Sequence, residues 1–382
     1  MPGRRLAAPI AAALLLAIGM GFGRFAFTGL YPLMLDDGLL SLHAGSLAAS
    51  ANYAGYLLGA LLLARSSASR ASHLCQWALA GTLLTLAALA WIGQPWLIVL
   101  TRFAAGLFSA MALVGASLWL LSVGGHSRSA PLLFAGVGLG IALSAQLIAV
   151  GHTSGLHSQA LWLSLALGGL LLALPAWLQL RRPPRGNGAA PGASTVATGS
   201  LGAWRLILIY GLAGLGYIVT ATYLPLLLQG HLGDLDPLQI WTAFGLAAMP
   251  SCFAWHAVHR RLGTARGLAL NLLLQAIGVI LPVFSQATWA CLGSAVLVGA
   301  TFMGTVTIAM PAAQALASRV RFNMPATITA AYGLGQILGP LLASALFARS
   351  HSFNPALLVA ASALALGAAL CRPCARLARP AT

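Results

Sequence analysis

Along the 382 residues, long apolar stretches alternate with short polar breaks. The stretches fall near 8–35, 43–64, 73–93, 95–121, 130–150 and 160–180, then near 203–228, 238–258, 266–285, 288–317, 325–347 and 354–371. Each has roughly the 20 residues that a helix needs to cross about 30 Å of hydrocarbon. Only helices or closed barrels satisfy their backbone in lipid, and these runs are too long and continuous for barrel strands. The pattern predicts an all-α polytopic membrane protein with twelve transmembrane helices. Arg4 and Arg5 before the first run resemble the start of a signal peptide, but the apolar character continues past Pro32 with no polar region for cleavage, so a retained helix is expected.

The longest polar interruption is "RRPPRGNGAAPGASTVATGS", Arg181 to Ser200, whose Pro, Gly, Ser and Arg content reads as a flexible linker. It divides the chain into an N-terminal six-helix half (1–180), a cytoplasmic linker (181–202) and a C-terminal six-helix half (203–382). The halves carry weak internal repeats. At an offset of 193, "GFGRFAFTGLYP" (21–32) faces "GLGYIVTATYLP" (214–225), and Gly106 meets Gly299. At an offset of 195, "GLGIAL" (138–143) faces "GLGQIL" (333–338). Runs 1, 4 and 5 thus map in order onto 7, 10 and 11, the plan of parallel repeats with a site at the midplane between them.

Composition agrees with a lipid environment: 59% of residues are hydrophobic and 6% charged, with net charge +16. There is no lysine and no glutamate. With a cytoplasmic N-terminus, Arg4, Arg5, Arg65, Arg70, Arg128, Arg181, Arg182, Arg185, Arg205, Arg260, Arg261, Arg266, Arg319, Arg321, Arg372, Arg376 and Arg379 lie inside, and Arg349 outside. This bias is the positive-inside signal. The arginines are spread over alternate loops and form no continuous face for nucleic acid. Heavy use of Ala and Arg without Lys is associated with GC-rich bacterial genomes; a bacterial inner (plasma) membrane is expected, with both termini cytoplasmic and a monomer.

Two arginines escape the loops. Arg24 sits inside the first run and Arg102 in the fourth, about 15 and 10 Å from the outer helix ends at 1.5 Å per residue. A buried arginine in a membrane is expensive and should face protein or a water-filled cavity. The four acids, Asp36, Asp37, Asp234 and Asp236, all fall in or near outer loops. Arg24 and Asp36 are about 18 Å apart along a helix, too far to pair. Because the guanidinium fork matches carboxylate and phosphate, Arg24 and Arg102 are read as clamps on an anionic substrate. The competing reading has them bonding backbone carbonyls or snorkelling. Asn52, Tyr56, Tyr217, Thr222 and Gln336 are further substrate-binding candidates, with helix-to-helix hydrogen bonding the alternative for such residues. Gln146 and Gln314 read as the latter. Gly55 and Gly59, Gly136 and Gly140, and Gly335 and Gly339 have the spacing of close helix contacts.

The motifs "GFGRFAFTGLYP", "ANYAGYLLGAL" (51–61), "AGVGLGIAL" (135–143), "GLGYIVTATYLP" and "YGLGQILGPLLA" (332–343) resemble the YbfB-like bacterial subgroup of the major facilitator superfamily. The resemblance implies alternating access around a cavity lined largely by helices 1, 4, 7 and 10. "RFAAGLFSA" (102–110) is similar to the family's fourth-helix motif. "GALLLARSSASR" (59–70) replaces the usual Gly-Asp-Arg-Gly type motif without a carboxylate, and "WHAVHRRLGTAR" (255–266) has His259 where an Asp is common. No phosphate-cradling loop, catalytic carboxylate pair or metal-ligand spacing stands out; "CRPC" (371–374) has redox or zinc spacing but no further ligands nearby. No cofactor, metal or enzymatic activity is expected. The expected function is secondary transport of a small organic anion, against efflux of amphipathic or neutral drugs and against a non-transporting receptor or scaffold. Facilitated passage, anion exchange and proton coupling all stay open.

Overall fold

The computed structural model describes residues 3–124, 126, 129–181, 201–228 and 236–372. Linker residues 182–200, Asp234, Cys374 and five of the arginines assigned to the inner side (128, 182, 185, 376 and 379) lie outside them. Every regular element among the described residues is helical. Ten helices are long and apolar enough to cross a membrane. They begin with α1 (Leu6–Asp36), α2 (Leu42–Leu63), α3 (Ala71–Leu89), α4 (Pro95–Val123), α5 (Ala130–Thr153), α6 (Ser158–Leu180) and α7 (Ala203–Leu227). Pro237–Phe284 follows as 48 helical residues, broken at Gly263, whose φ of 73° an L side chain rarely adopts. Its limbs, 237–262 and 264–284, are α8 and α9. Next come α10 (Thr288–Leu316) and α11 (Met324–Ser350), and then α12 (Asn354–Leu370), shorter at 17 residues.

The sequence places a polar break between the eighth and ninth runs. Helical hydrogen bonding continues almost through it, because His259 is buried against Thr264 (3.2 Å) while Arg260, Arg261 and Arg266 point outward. Polar residues on one face do not end a helix. A left-handed glycine does.

α1 is the most buried span, and its middle, Ala17–Phe25, is π-helical. The sequence "GMGFGRF" explains why such a wound segment packs. A methyl on Gly19 would lie 2.4 Å from Ala112 Cβ of α4, one on Gly21 2.3 Å from Gly140 C of α5, and one on Gly23 2.8 Å from Thr82 Cγ2 of α3. Three alternating glycines therefore admit three neighbouring helices. α7 meets α11 in the same manner, since a methyl on Gly214 would lie 2.3 Å from Tyr332 O. The glycine pairs singled out in the sequence are close contacts too: methyls on Gly55, Gly136 and Gly335 would stand 2.0, 2.1 and 2.4 Å from carbonyl oxygens of Phe103, Ala13 and Gly211.

Gly140→Ala should consequently destabilise the protein by about 2 kcal/mol, through overpacking against Ala17 O, 2.2 Å from the new carbon. Gly93→Ala, with no atom within 4 Å, should stay within about 0.5 kcal/mol. Thermal midpoints in detergent measure both. Equal midpoints would mean that the α1–α5 crossing gives way freely.

Candidate functional site

π-helical turns are rare inside α-helices and frequent at functional sites. Side chains of α4 bond carbonyls of the one in α1. Ser109 Oγ donates to Gly19 O, and Arg102 donates through Nη1 to Gly23 O (2.8 Å) and Nη2 to Arg24 O (2.9 Å). Arg102 is 1% exposed, and its guanidinium lies 4.6 Å from the Phe27 ring. Asn52 is fully buried behind it, donating from Nδ2 to Arg102 O at 2.9 Å and tying α2 to α4.

Held in this way, the π segment turns Arg24 into a cavity of about 410 Å³. Contributions come from α1 (Met20, Arg24, Phe25), α2 (Tyr56), α4 (Ala110, Val114), α5 (Phe134, Val137), α7 (Tyr210, Tyr217), α10 (Phe302, Met303) and α11 (Tyr332, Gln336). The cavity runs to Ser66 and Asn323 at the helix ends, on the face where Arg65, Arg70, Arg260, Arg261, Arg319 and Arg321 are exposed. Arg24 is the one charged residue among those lining it, and no acid does so. Its side chain is 3% exposed, and neither Nε nor Nη2 has a hydrogen-bond partner among the described residues. Aromatic rings surround it, Tyr56 at 4.3 Å, Tyr53 at 4.9 Å and Phe25 at 5.1 Å from Cζ, and the Tyr56 side chain also hydrogen-bonds Arg24. Such cation–π contacts partly offset the lost hydration.

The cavity's other wall is a run of stacked rings. Tyr217 lies between Phe302 (5.7 Å) and Tyr332 (5.6 Å), and Tyr332 stacks on Tyr210 at 4.5 Å. Gln336 donates from Nε2 to the Tyr217 hydroxyl, while its Oε1 is buried without a partner. Arg24 and Tyr217, 193 residues apart, are the mates of the sequence repeat, and both line the cavity.

At the opposite face the helices meet. Thr28 Oγ1 donates to Ala221 O at 2.6 Å, Ser46 Oγ and the Tyr223 hydroxyl are 2.6 Å apart, and Tyr223 also donates to Pro340 O at 3.0 Å. Tyr53 bonds Thr222 at 3.1 Å, and Ser50 donates to Ile337 O at 2.9 Å. Gln146 joins α5 to α8 through Gln239 (2.8 Å) and Thr242 (2.9 Å). The contacts link α1 and α2 to α7, α2 to α11, and α5 to α8, so that face is shut while the arginine-rich face is open. Beyond the seal, Asp37 accepts the Ser158 amide at 2.7 Å and faces His157 at 3.2 Å. Desolvation pushes its carboxyl up, but the bonds from Ser158 and His157 outweigh this and hold it below the usual carboxylate range.

Tyr223→Phe removes the hydroxyl that touches both Ser46 and Pro340. At about 1 kcal/mol for a hydrogen bond, several-fold more molecules should open on the shut face. A Ser50→Cys reporter should then label faster with an impermeant thiol reagent applied to that side. Unchanged labelling would remove Tyr223 from the seal.

Of the residues that the sequence put forward, Arg24, Tyr56, Tyr217 and Gln336 line the cavity, as does Gln314. Arg102, expected as a second clamp, does not, because the π-segment carbonyls occupy both of its terminal nitrogens. Asn52 and Thr222 are also off the wall, the one bracing α4 and the other in the seal. Tyr210 and Tyr332 were missed. Their signal was present in the spacing: seven before Tyr217 and four before Gln336, each on its partner's helix face. The family model described as "Uncharacterised MFS-type transporter YbfB" matches residues 16–372.

Proposed function

Because the chain belongs to this YbfB-like family of major facilitator transporters, we propose that it is a twelve-span secondary transporter in which two six-helix halves, 1–180 and 203–382, rock about the cavity to give alternating access. The arginine-rich face is then cytoplasmic by the positive-inside rule, and the structure is an inward-facing state. The seal between α1, α2 and α5 on one side and α7, α8 and α11 on the other supports this reading, since breaking it would open the same cavity outward. The substrate is a small organic anion.

One observation carries the substrate class: a buried arginine in the cavity wall with unpartnered donors and no acid nearby. The empty carrier must move that charge through an occluded, low-dielectric state, whereas an anion neutralises it. Exchange of anion across the membrane should therefore outpace net efflux from proteoliposomes by ten-fold or more, about 1.4 kcal/mol in barrier height. Ligands are first selected by thermal stabilisation of the purified protein, and counterflow is then compared with efflux into ligand-free buffer. Equal rates would sink the exchange mechanism, and no flux of any stabilising ligand would sink transport. The aromatic wall favours a second reading, efflux of an uncharged amphipathic compound, which a neutral substitution at Arg24 would leave intact.

A further inference from the structure

The two unpartnered nitrogens of Arg24 are not an arbitrary pair. Nε and Nη2 carry the N–H groups of one edge of the guanidinium, the edge that grips two coplanar oxygens side by side. Both are buried, screened by the rings of Phe25, Tyr53 and Tyr56. Among these, Phe25 and Tyr56 also line the cavity, and Tyr56 lies nearest the guanidinium. Tyr56 also hydrogen-bonds Arg24, so an entering acceptor would compete with Tyr56 for the guanidinium.

Charge limits the acceptor further. One cationic and no acidic residue line the cavity, so a monoanion leaves it neutral, whereas a dianion leaves a net negative charge in a low-dielectric site. Shape limits the rest of the molecule. Phe302, Tyr217, Tyr332 and Tyr210 line the same cavity as Arg24; stacked on one another they present ring edges to it, against which a flat aromatic body packs edge-to-face better than a hydroxylated one. The one amide there, Gln336, has an unpartnered oxygen that offers a single acceptor to a substrate N–H or O–H.

We infer that the site takes a monocarboxylate with a flat, aromatic-sized body, its carboxylate bidentate on the Nε–Nη2 edge of Arg24 and its ring against Tyr217 and Tyr332. This inference rests on the transport reading but can fail separately from it. The test is thermal stabilisation of the full-length purified protein by benzoate, phenylacetate and indole-3-acetate, beside acetate, benzamide, phthalate and phenyl phosphate. At least one aromatic monocarboxylate should raise the midpoint at concentrations ten-fold or more below those needed for acetate, phthalate or phenyl phosphate, and benzamide should have no effect. Arg24→Gln should abolish the shift. The ligand series needs no variant, so its result stands even if that substitution fails to fold. Benzamide, phthalate or phenyl phosphate matching the best monocarboxylate, or no shift with any aromatic monocarboxylate at millimolar concentrations, overturns the inference. Binding without counterflow would leave the carboxylate site standing and remove transport. Flux of a compound lacking a carboxylate would do the reverse.

Discussion

Arg24→Met should make the empty protein more stable and blind to anionic ligands. In most settings, truncating a buried arginine leaves its partners unsatisfied and lowers the midpoint. Here the partners are aromatic faces and the Tyr56 side chain, and two nitrogens of the buried cation, Nε and Nη2, have no hydrogen-bond partner among the described residues. Replacing such a charge with an apolar side chain of similar length relieves a desolvation penalty. The expected gain is about 1–2 kcal/mol, the trade of stability for function seen at binding sites. Two charge-assisted hydrogen bonds to the ligand are lost at once, so anion affinity should fall by about 100-fold or more, at roughly 1.5–3 kcal/mol each. Thermal midpoints with and without ligand read both effects from one sample. A lowered midpoint without ligand would identify Arg24 as a structural arginine.

Arg102→Ala should have the opposite signature. The guanidinium bonds two successive carbonyls of α1, and both lie where the π-helical segment returns to α-helix. Alanine would remove two buried charge-assisted hydrogen bonds and leave an empty space beside Phe27, a loss on the order of 3 kcal/mol or more. Transport should vanish for any substrate, because Arg24 is aimed by the segment that Arg102 holds. Arg102→Lys should rescue little, since an ammonium cannot present a planar fork to two neighbouring carbonyls. A wild-type midpoint in the lysine variant would show that charge at this position, not its geometry, is what matters.

The two arginines have the same side-chain chemistry and similar depths, and the sequence offered no means to separate them. They differ in what the neighbouring backbone does. Arg102 bonds two carbonyls at the end of a π-helical stretch, and nothing in "GMGFGRF" beyond its alternating glycines announces that stretch. Asn52 and Thr222 were ambiguous for a related reason. Spans apolar on all sides carry little amphipathic signal, so the helix face turned to the cavity cannot be read from periodicity. Tyr210 and Tyr332 became part of the site only when α7 and α11 were rotated toward each other.

What the sequence determined by itself follows from the solvent. A chain in hydrocarbon must close its backbone hydrogen bonds within each helix, so the lengths of the apolar runs marked the spans and the arginine-rich loops marked one face. The cost of a buried cation made Arg24 stand out before any geometry was known. Tertiary structure alone decided the π-helical turn of α1, the junction at Gly263, which arginine lines the cavity, and which face is sealed. These depend on helix rotation and on contacts between residues as far apart as Thr28 and Ala221. Such contacts are set by packing among helices whose surfaces are nearly alike in polarity, and linear order does not encode them.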